Sequence, residues 1–202
     1  MTGAAIAEYE ARHDGLVTTA IKLSEIIQSH LEGVVQIDRI STRAKEPLKF
    51  AEKAGRRSEK GVLKYPAPLT EIQDQIGARI TVLYLHTVKT VADKLKEYFR
   101  PIEQRNRFPE SNWEFGYFGT HFLFALPHDA IPKDIPLNMV PDFFELQIKT
   151  VFQHAWSEAN HDLGYKSLTA LTSEQQRRLA FASAQAWGAD EAFDHLLQGF
   201  DR

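Results

Sequence analysis

The sequence predicts an α/β (α+β) domain with a mixed central β-sheet flanked by helices. Two observations carry that expectation. Helical apolar periodicity opens the chain over residues 4–31 and closes it over 173–197, while the stretch between alternates short strand-like runs with amphipathic segments. The chain is also long enough for one real core: 202 residues, 43% apolar and 25% charged. Neither repeats nor low-complexity tracts divide it, so residues 1–202 read as one domain.

In order along the chain, Leu16, Ala20, Leu23, Ile27 and Leu31 mark one face of the first helix, and Gly33 follows as its stop. Val34–Ile40 is short and β-branched, a strand. Pro47 suits the first turn of a helix running to Lys53, with Gly55 beyond it. Residues 54–68 form a long basic loop. Thr70-Glu71-Ile72-Gln73 is a capping-box pattern that opens a short helix ending at Gly77. Ala78–Leu85 is a strand. Val88, Val91, Ala92, Leu95, Tyr98 and Phe99 then trace an amphipathic helix face. Phe122–Leu126 and Phe143–Lys149 are further strands, followed by helices over 150–163 and 173–197.

Composition excludes several classes. There is no cysteine, hence no disulfide, thiolate metal site or cysteine nucleophile. A net charge of −3 removes a global basic field, so any anion site is local. No apolar run approaches the roughly 20 residues that cross a bilayer, and the N-terminus lacks the pattern of a signal peptide. The expectation is a cytoplasmic protein with no membrane partner. P-loop, G-x-G-x-x-G and G-x-S-x-G patterns are all missing.

Four constellations bear chemistry. Arg43, Lys45, Lys49 and Lys53, with Arg56, Arg57, Lys60 and Lys64 after them, read as a polyphosphate site or as a solvated basic face. Asp74 and Arg79 read as a cation-and-phosphate pair or as a surface ion pair. Glu145, Gln147 and Lys149 point to one side of a strand whose Leu146 and Ile148 point to the other, toward a cleft or toward solvent. Phe115-Gly116-Tyr117-Phe118-Gly119-Thr120-His121 is an aromatic turn or a piece of core. Phosphate-bound Mg²⁺ usually takes one or two protein carboxylates, a role open to Asp74 and Glu145. His154 and His161 are seven apart and lack the i, i+4 spacing of a helical metal pair.

Taken in order, these residues resemble the synthetase domain of the RelA/SpoT family, the (p)ppGpp synthetases. The resemblance spans about residues 35–190. It is carried by Arg43-x-Lys45 with Lys53, Asp74-Gln75-Ile76-Gly77-Ala78-Arg79, Gly116-Tyr117-x-x-x-His121, Glu145-Leu146-Gln147-Ile148-Lys149-Thr150, and His154-Ala155-Trp156-Ser157-Glu158 leading to Tyr165-Lys166-Ser167. It implies the nucleotidyltransferase-like fold of that family and transfer of the β,γ-pyrophosphate of ATP to a ribose 3′-hydroxyl. Arg43, Lys45, Lys49, Lys53 and Arg79 would then bind ATP. Asp74 and Glu145 would be the catalytic carboxylates and Mg²⁺ ligands, and Tyr117, His121 and Gln147 would bind the acceptor.

Three departures from the family bear on the acceptor and donor. Lys49 stands where the family often has Ser, Trp113 where it often has a Lys that binds the acceptor's 5′-phosphates, and Phe118-Gly119 where it has a polar pair. GDP or GTP is the acceptor that family habit implies. The less cationic acceptor side makes the 3′ end of tRNA an alternative, as in toxic members kept in check by a small antitoxin protein, and an adenine nucleotide a further one. The flanking helices are a candidate homo-oligomer interface.

Overall fold

A computed structural model describes residues 2–107, 115–116, 119–166 and 171–200. Helix α1 (Thr2–His30) is followed by strand β1 (Ile37–Ala44), helices α2 (Pro47–Ala54) and α3 (Pro68–Glu71), strand β2 (Ile76–Val82), helix α4 (Leu85–Tyr98), strands β3 (Pro101–Arg107), β4 (Gly119–Ala125) and β5 (Phe143–Thr150), and helices α5 (Val151–Lys166) and α6 (Ser173–Phe200). The five strands make one mixed sheet in the order β1-β2-β5-β4-β3. Only β2 and β5 pair in parallel; the other three pairs are antiparallel. Among the described residues no helix is long and apolar enough to cross a membrane.

One face of the sheet is the core. Leu146, Ile148, Phe122, Phe124, Ala78 and Ile80 are all at most 4% exposed and join one cluster with α1 and α4. The stripe expected on α1 is there: Leu16, Ala20, Leu23, Ile27 and Leu31 are buried, and Gly33 turns the chain with φ +81°. Tyr9 extends the stripe by stacking on Phe50 of α2 at 3.8 Å. The opposite sheet face is polar and is partly covered by α5.

Several boundaries differ from the sequence expectation, each for a physical reason. β1 begins at Ile37 and runs on to Ala44, because Gln36 breaks the extended backbone (φ 71°) and pairing with β2 continues to Ala44 opposite Ile76. α3 begins at Pro68, not after Thr70. Proline at the first helical position has the right φ and needs no hydrogen bond, and Glu71 accepts the backbone N–H of Ala67 at 2.7 Å. Gly77 lies in β2 and ends no helix, so Asp74 sits in the turn before that strand. β2 stops at Val82 and Leu85 already belongs to α4. Tyr98, expected on the buried face of α4, is 49% exposed and stacks on His30 at 3.9 Å. Within the basic stretch 54–68, residues 56–64 form a tight hairpin: Arg57 bridges Leu63, and Gly61 turns it with φ +75°. β3 is the one strand with no expectation behind it.

Candidate functional site

Two adjacent rungs across the sheet build the site. Paired strand residues point to the same side, so the registers can be read straight across. One rung runs Ser41–Arg79–Gln147–His121–Arg105, and the next runs Arg43–Gly77–Glu145–Leu123–Glu103. Five of the ten expected site residues therefore share one surface through strand pairing alone: Arg43, Arg79, His121, Glu145 and Gln147. The turn before β2 brings Asp74 to the same place, and a cleft of about 230 Å³ opens over Arg43, Asp74, Gly77, Arg79, Glu145 and Gln147. Gly77 is what leaves its floor open. A Cβ there would meet nothing within 4 Å, so glycine answers no packing demand, only the space above the strand.

Asp74 is held by two ammonium groups. Lys45 Nζ donates to Oδ2 at 2.7 Å and Lys53 Nζ to Oδ1 at 2.9 Å. Lys45 lies just before α2 and Lys53 in its last turn, so a single short helix separates the two cations by enough to straddle the carboxylate. Burial opposes the charge on Asp74, but the two lysines outweigh it and hold the carboxyl below the usual range. Lys49 is not part of this cage: it is 45% exposed and its ammonium bonds Glu52 at 3.0 Å on the outer side of α2.

Glu145 accepts a bond from His121 Nδ1 at 2.9 Å. Burial and the nearby Asp74 carboxylate push it up, but His121 and Lys53 win, and Glu145 also sits below the ordinary value. A second, smaller hollow of about 30 Å³ lies on the other side of Glu145, between Arg105, Glu103 and His121. Glu145 thus stands between a lysine-and-arginine side and a histidine-and-arginine side. Gln147 Oε1 is buried with no hydrogen-bond partner among the described residues.

Helix α5 closes the end of the cleft. Arg79 donates to Glu158 at 2.8 Å and lies 3.3 Å from His154 Nδ1. Burial and the Arg79 charge together lower the His154 pKa, so the ring beside Arg79 is biased toward neutral. Lys149, 3% exposed, donates to Ser157 at 3.0 Å. His154 and Glu158 carry a signal the sequence does hold, an i, i+4 pair on the helix directly after the polar-faced strand; their contact with Arg79 needs the parallel β2–β5 register to be seen. Tyr117, expected to stack on the acceptor base, and Trp113 and Phe118 lie outside the described residues. Among the described residues no cluster of three or more His, Cys, Asp or Glu could hold a metal by itself.

The carboxylates nevertheless fit a hard cation shared with phosphate. Mg²⁺ commonly takes one or two carboxylates and completes its shell with water and substrate phosphate oxygens. Asp74 and Glu145 line one cleft as two hard oxygen donors, and a divalent ion there would take the place of the lysine ammonium groups on Asp74.

Comparison with known proteins identifies the family of the chain and relatives of its fold. Residues 42–170 match the model of the region found in RelA / SpoT proteins. The chain is 27% identical over 165 residues to the GTP pyrophosphokinase YjbM of Bacillus subtilis, covering 79% of this chain and 72% of that one. Its fold is similar to a GTP pyrophosphokinase family protein from Streptococcus pneumoniae, with a TM-score of 0.76 at 23% identity over 96% of this chain and 94% of that chain. It is also similar to small alarmone synthetase 1 of Bacillus subtilis bound to its product pppGpp, with a TM-score of 0.69 at 21% identity over 99% and 98% of the two chains.

Proposed function

The chain belongs to the RelA/SpoT family, and from that premise we propose that it is a pyrophosphokinase that moves the β,γ-pyrophosphate of ATP to the 3′-hydroxyl of GDP or GTP, making (p)ppGpp. One observation carries the reading: Asp74, Lys45, Lys53, Arg43, Arg79 and Glu145 converge on one open cleft. The Bacillus subtilis relative is named for this activity, and a solved relative holds the product pppGpp.

In the reaction, the acceptor 3′-oxygen bonds to the β-phosphorus of ATP. The bond from that phosphorus to the α,β-bridging oxygen breaks, AMP leaves, and the hydroxyl proton is lost to a base at Glu145. Such a transfer depends on in-line positioning and charge neutralisation more than on covalent chemistry. Lys45, Lys53, Arg43 and Arg79 supply the charge. Before ATP binds, Asp74 pairs with both lysines, offsetting one of their two positive charges, and Glu158 pairs with Arg79, so the cations are held in place and partly desolvated. Asp74 and Glu145 are the proposed Mg²⁺ ligands; the ion would neutralise β- and γ-phosphate charge. Glu145 has a low pKa and is a weak base, so orientation of the hydroxyl by Glu145 and His121 outweighs its basicity. Lys49 reaches a phosphate only by leaving Glu52.

On the acceptor side, Arg105 is the cation on β3 opposite His121 of β4, 53% exposed and paired with Glu103. It offers the 5′-phosphates of a guanine nucleotide a charge that position 113 does not. Trp113 and Phe118 in the sequence favour a second acceptor, the 3′ end of tRNA. The test offers γ-labelled ATP and Mg²⁺ with GDP, GTP, AMP, ADP or deacylated tRNA. Label on a guanine nucleotide supports the proposal, label on tRNA alone supports the second reading, and label on no acceptor overturns both.

A further inference from the structure

The inner stripe of α6 grips, one after another, elements next to the site and the start of α4. Leu179, Ser183, Asp190 and Asp194 recur at spacings of four, seven and four and so share a helix face. The carbonyl of Leu179 accepts the Trp156 indole N–H at 3.3 Å. Ser183, 1% exposed, donates to the carbonyl of Gly116 at 2.6 Å, the residue before Tyr117 in the sequence. Asp194 accepts the backbone N–H of His86 at 2.9 Å and so caps α4. Asp190, 2% exposed, accepts the Thr150 hydroxyl at 2.7 Å.

Thr150 is the joint of the site. It ends β5, which carries Glu145, Gln147 and Lys149, and it caps α5, which carries His154, Ser157 and Glu158. Its Oγ1 accepts the Gln153 backbone N–H at 3.1 Å, while Gln153 Oε1 accepts the Thr150 N–H at 3.0 Å, a reciprocal capping box. A hydroxyl has one proton to give, and Asp190 takes it, which fixes the oxygen lone pairs on Gln153. Asp190 Oδ1 has no hydrogen-bond partner among the described residues. A carboxylate buried with half its acceptors unmet is a poor way to pack a helix, since an apolar side chain there would cost less.

We propose that Asp190 is a positioning residue for the transfer reaction, acting through Thr150 to set the β5–α5 joint and with it the placement of Gln147 and Lys149 against Ser157, Glu158 and Arg79. The inference rests on the pyrophosphokinase reading above. Burial and the neighbouring Glu191 and Asp194 charges push Asp190 up to about 6 despite the Thr150 bond, which marks the strain that the position bears.

The test compares Asp190→Ala, Asp190→Asn and Asp194→Ala in the whole chain, by thermal unfolding and by steady-state transfer from γ-labelled ATP. Asp190→Ala is expected to lower kcat about tenfold or more while folded, because small misplacements of reacting groups are costly. Asp190→Asn keeps an acceptor for Thr150 and restores kcat to within about threefold. Asp194→Ala lowers Tm through the lost cap yet keeps kcat and KM. Should Asp190→Ala not fold, the near-isosteric Thr150→Val removes the same bond and shows the same loss. Unchanged kcat in Asp190→Ala, or an equal loss in Asp194→Ala, overturns the inference. A wild-type chain inactive on every acceptor overturns the functional reading instead. Amide exchange then decides Asp190 alone: faster exchange at Gln153–Ser157 in Asp190→Ala than in Asp194→Ala supports the joint, and equal exchange overturns it.

Discussion

At the scale of single residues, Asp74 has the most to lose. Its two ammonium partners are 12% and 21% exposed, so removing the carboxylate leaves two poorly hydrated charges facing each other. Asp74→Asn is expected to cost about 1–3 kcal/mol of stability and to reduce transfer by two orders of magnitude or more, read by denaturant unfolding and by the label assay. Arg105→Ala is expected to raise KM for GDP about tenfold, the loss of one charged hydrogen bond, while KM for ATP holds. Equal changes in both would remove Arg105 from the acceptor side. Asp190 gives a pH signature. Its folded pKa of about 6 lies above the ordinary aspartate value of 3.8, so it opposes folding once ionised, and its contribution improves as pH falls from above 6 toward 4. Asp74 and Glu145 have the opposite sign: their depressed values add stability above the ordinary carboxylate range that is lost as pH falls through the folded values. Asp190→Asn is therefore expected to gain Tm relative to wild type at pH 7.5 and to lose that gain by pH 4.5. A difference that stays flat across this range would contradict the assignment of the raised value to Asp190.

At the scale of elements, the β1-β2-β5-β4-β3 order decides what meets what. Gly77 shows it best, with Arg43 on one side, Glu145 on the other and nothing above. Gly77→Val is expected to fold with unchanged or slightly higher Tm, since its strand backbone suits a β-branched residue. It should weaken ATP binding, measured by calorimetry, because the added methyls stand in the cleft. Retained ATP affinity would place the phosphates elsewhere. The α1 stripe, the α4 face apart from Tyr98 and the two-sided pattern of β5 were legible in the sequence, because burial imposes a period on the order of apolar residues. β3 was not. Ile102-Glu103-Gln104-Arg105 alternates weakly, and an edge strand needs only one partner and one apolar side. With β3 unseen, Arg105 could not be placed beside His121. The cage around Asp74 was half legible. Lys45 and Lys53 were among the basic residues singled out, but so was Lys49, whose ammonium bonds Glu52 and not Asp74, while Lys45 approaches the carboxylate from the loop before α2. Ser183 and Asp190 gave no local signal, since their partners lie 67 and 40 residues away.

At the scale of the whole molecule, the sheet separates two tasks. One face, with α1 and α4, supplies the buried apolar surface, and the other carries ten rung positions of which eight are polar or charged. α1 also serves the second face at its edge. Tyr9 donates to the Lys45 carbonyl at 2.7 Å and Arg12 to Gln75 Oε1 at 2.6 Å, so the core helix braces both segments of the Asp74 cage. A rigid base under a charged, open cleft suits a reaction that needs placement and neutralisation more than a covalent intermediate. The most direct measurement is single-turnover transfer from γ-labelled ATP to GDP with Mg²⁺, in wild type and in Asp74→Asn. The expected result is labelled 3′-pyrophosphorylated GDP and stoichiometric AMP from the wild type, and neither from a folded Asp74→Asn. Labelled orthophosphate with no labelled nucleotide, or equal transfer by the two proteins, would contradict the assignment of this cleft to pyrophosphate transfer.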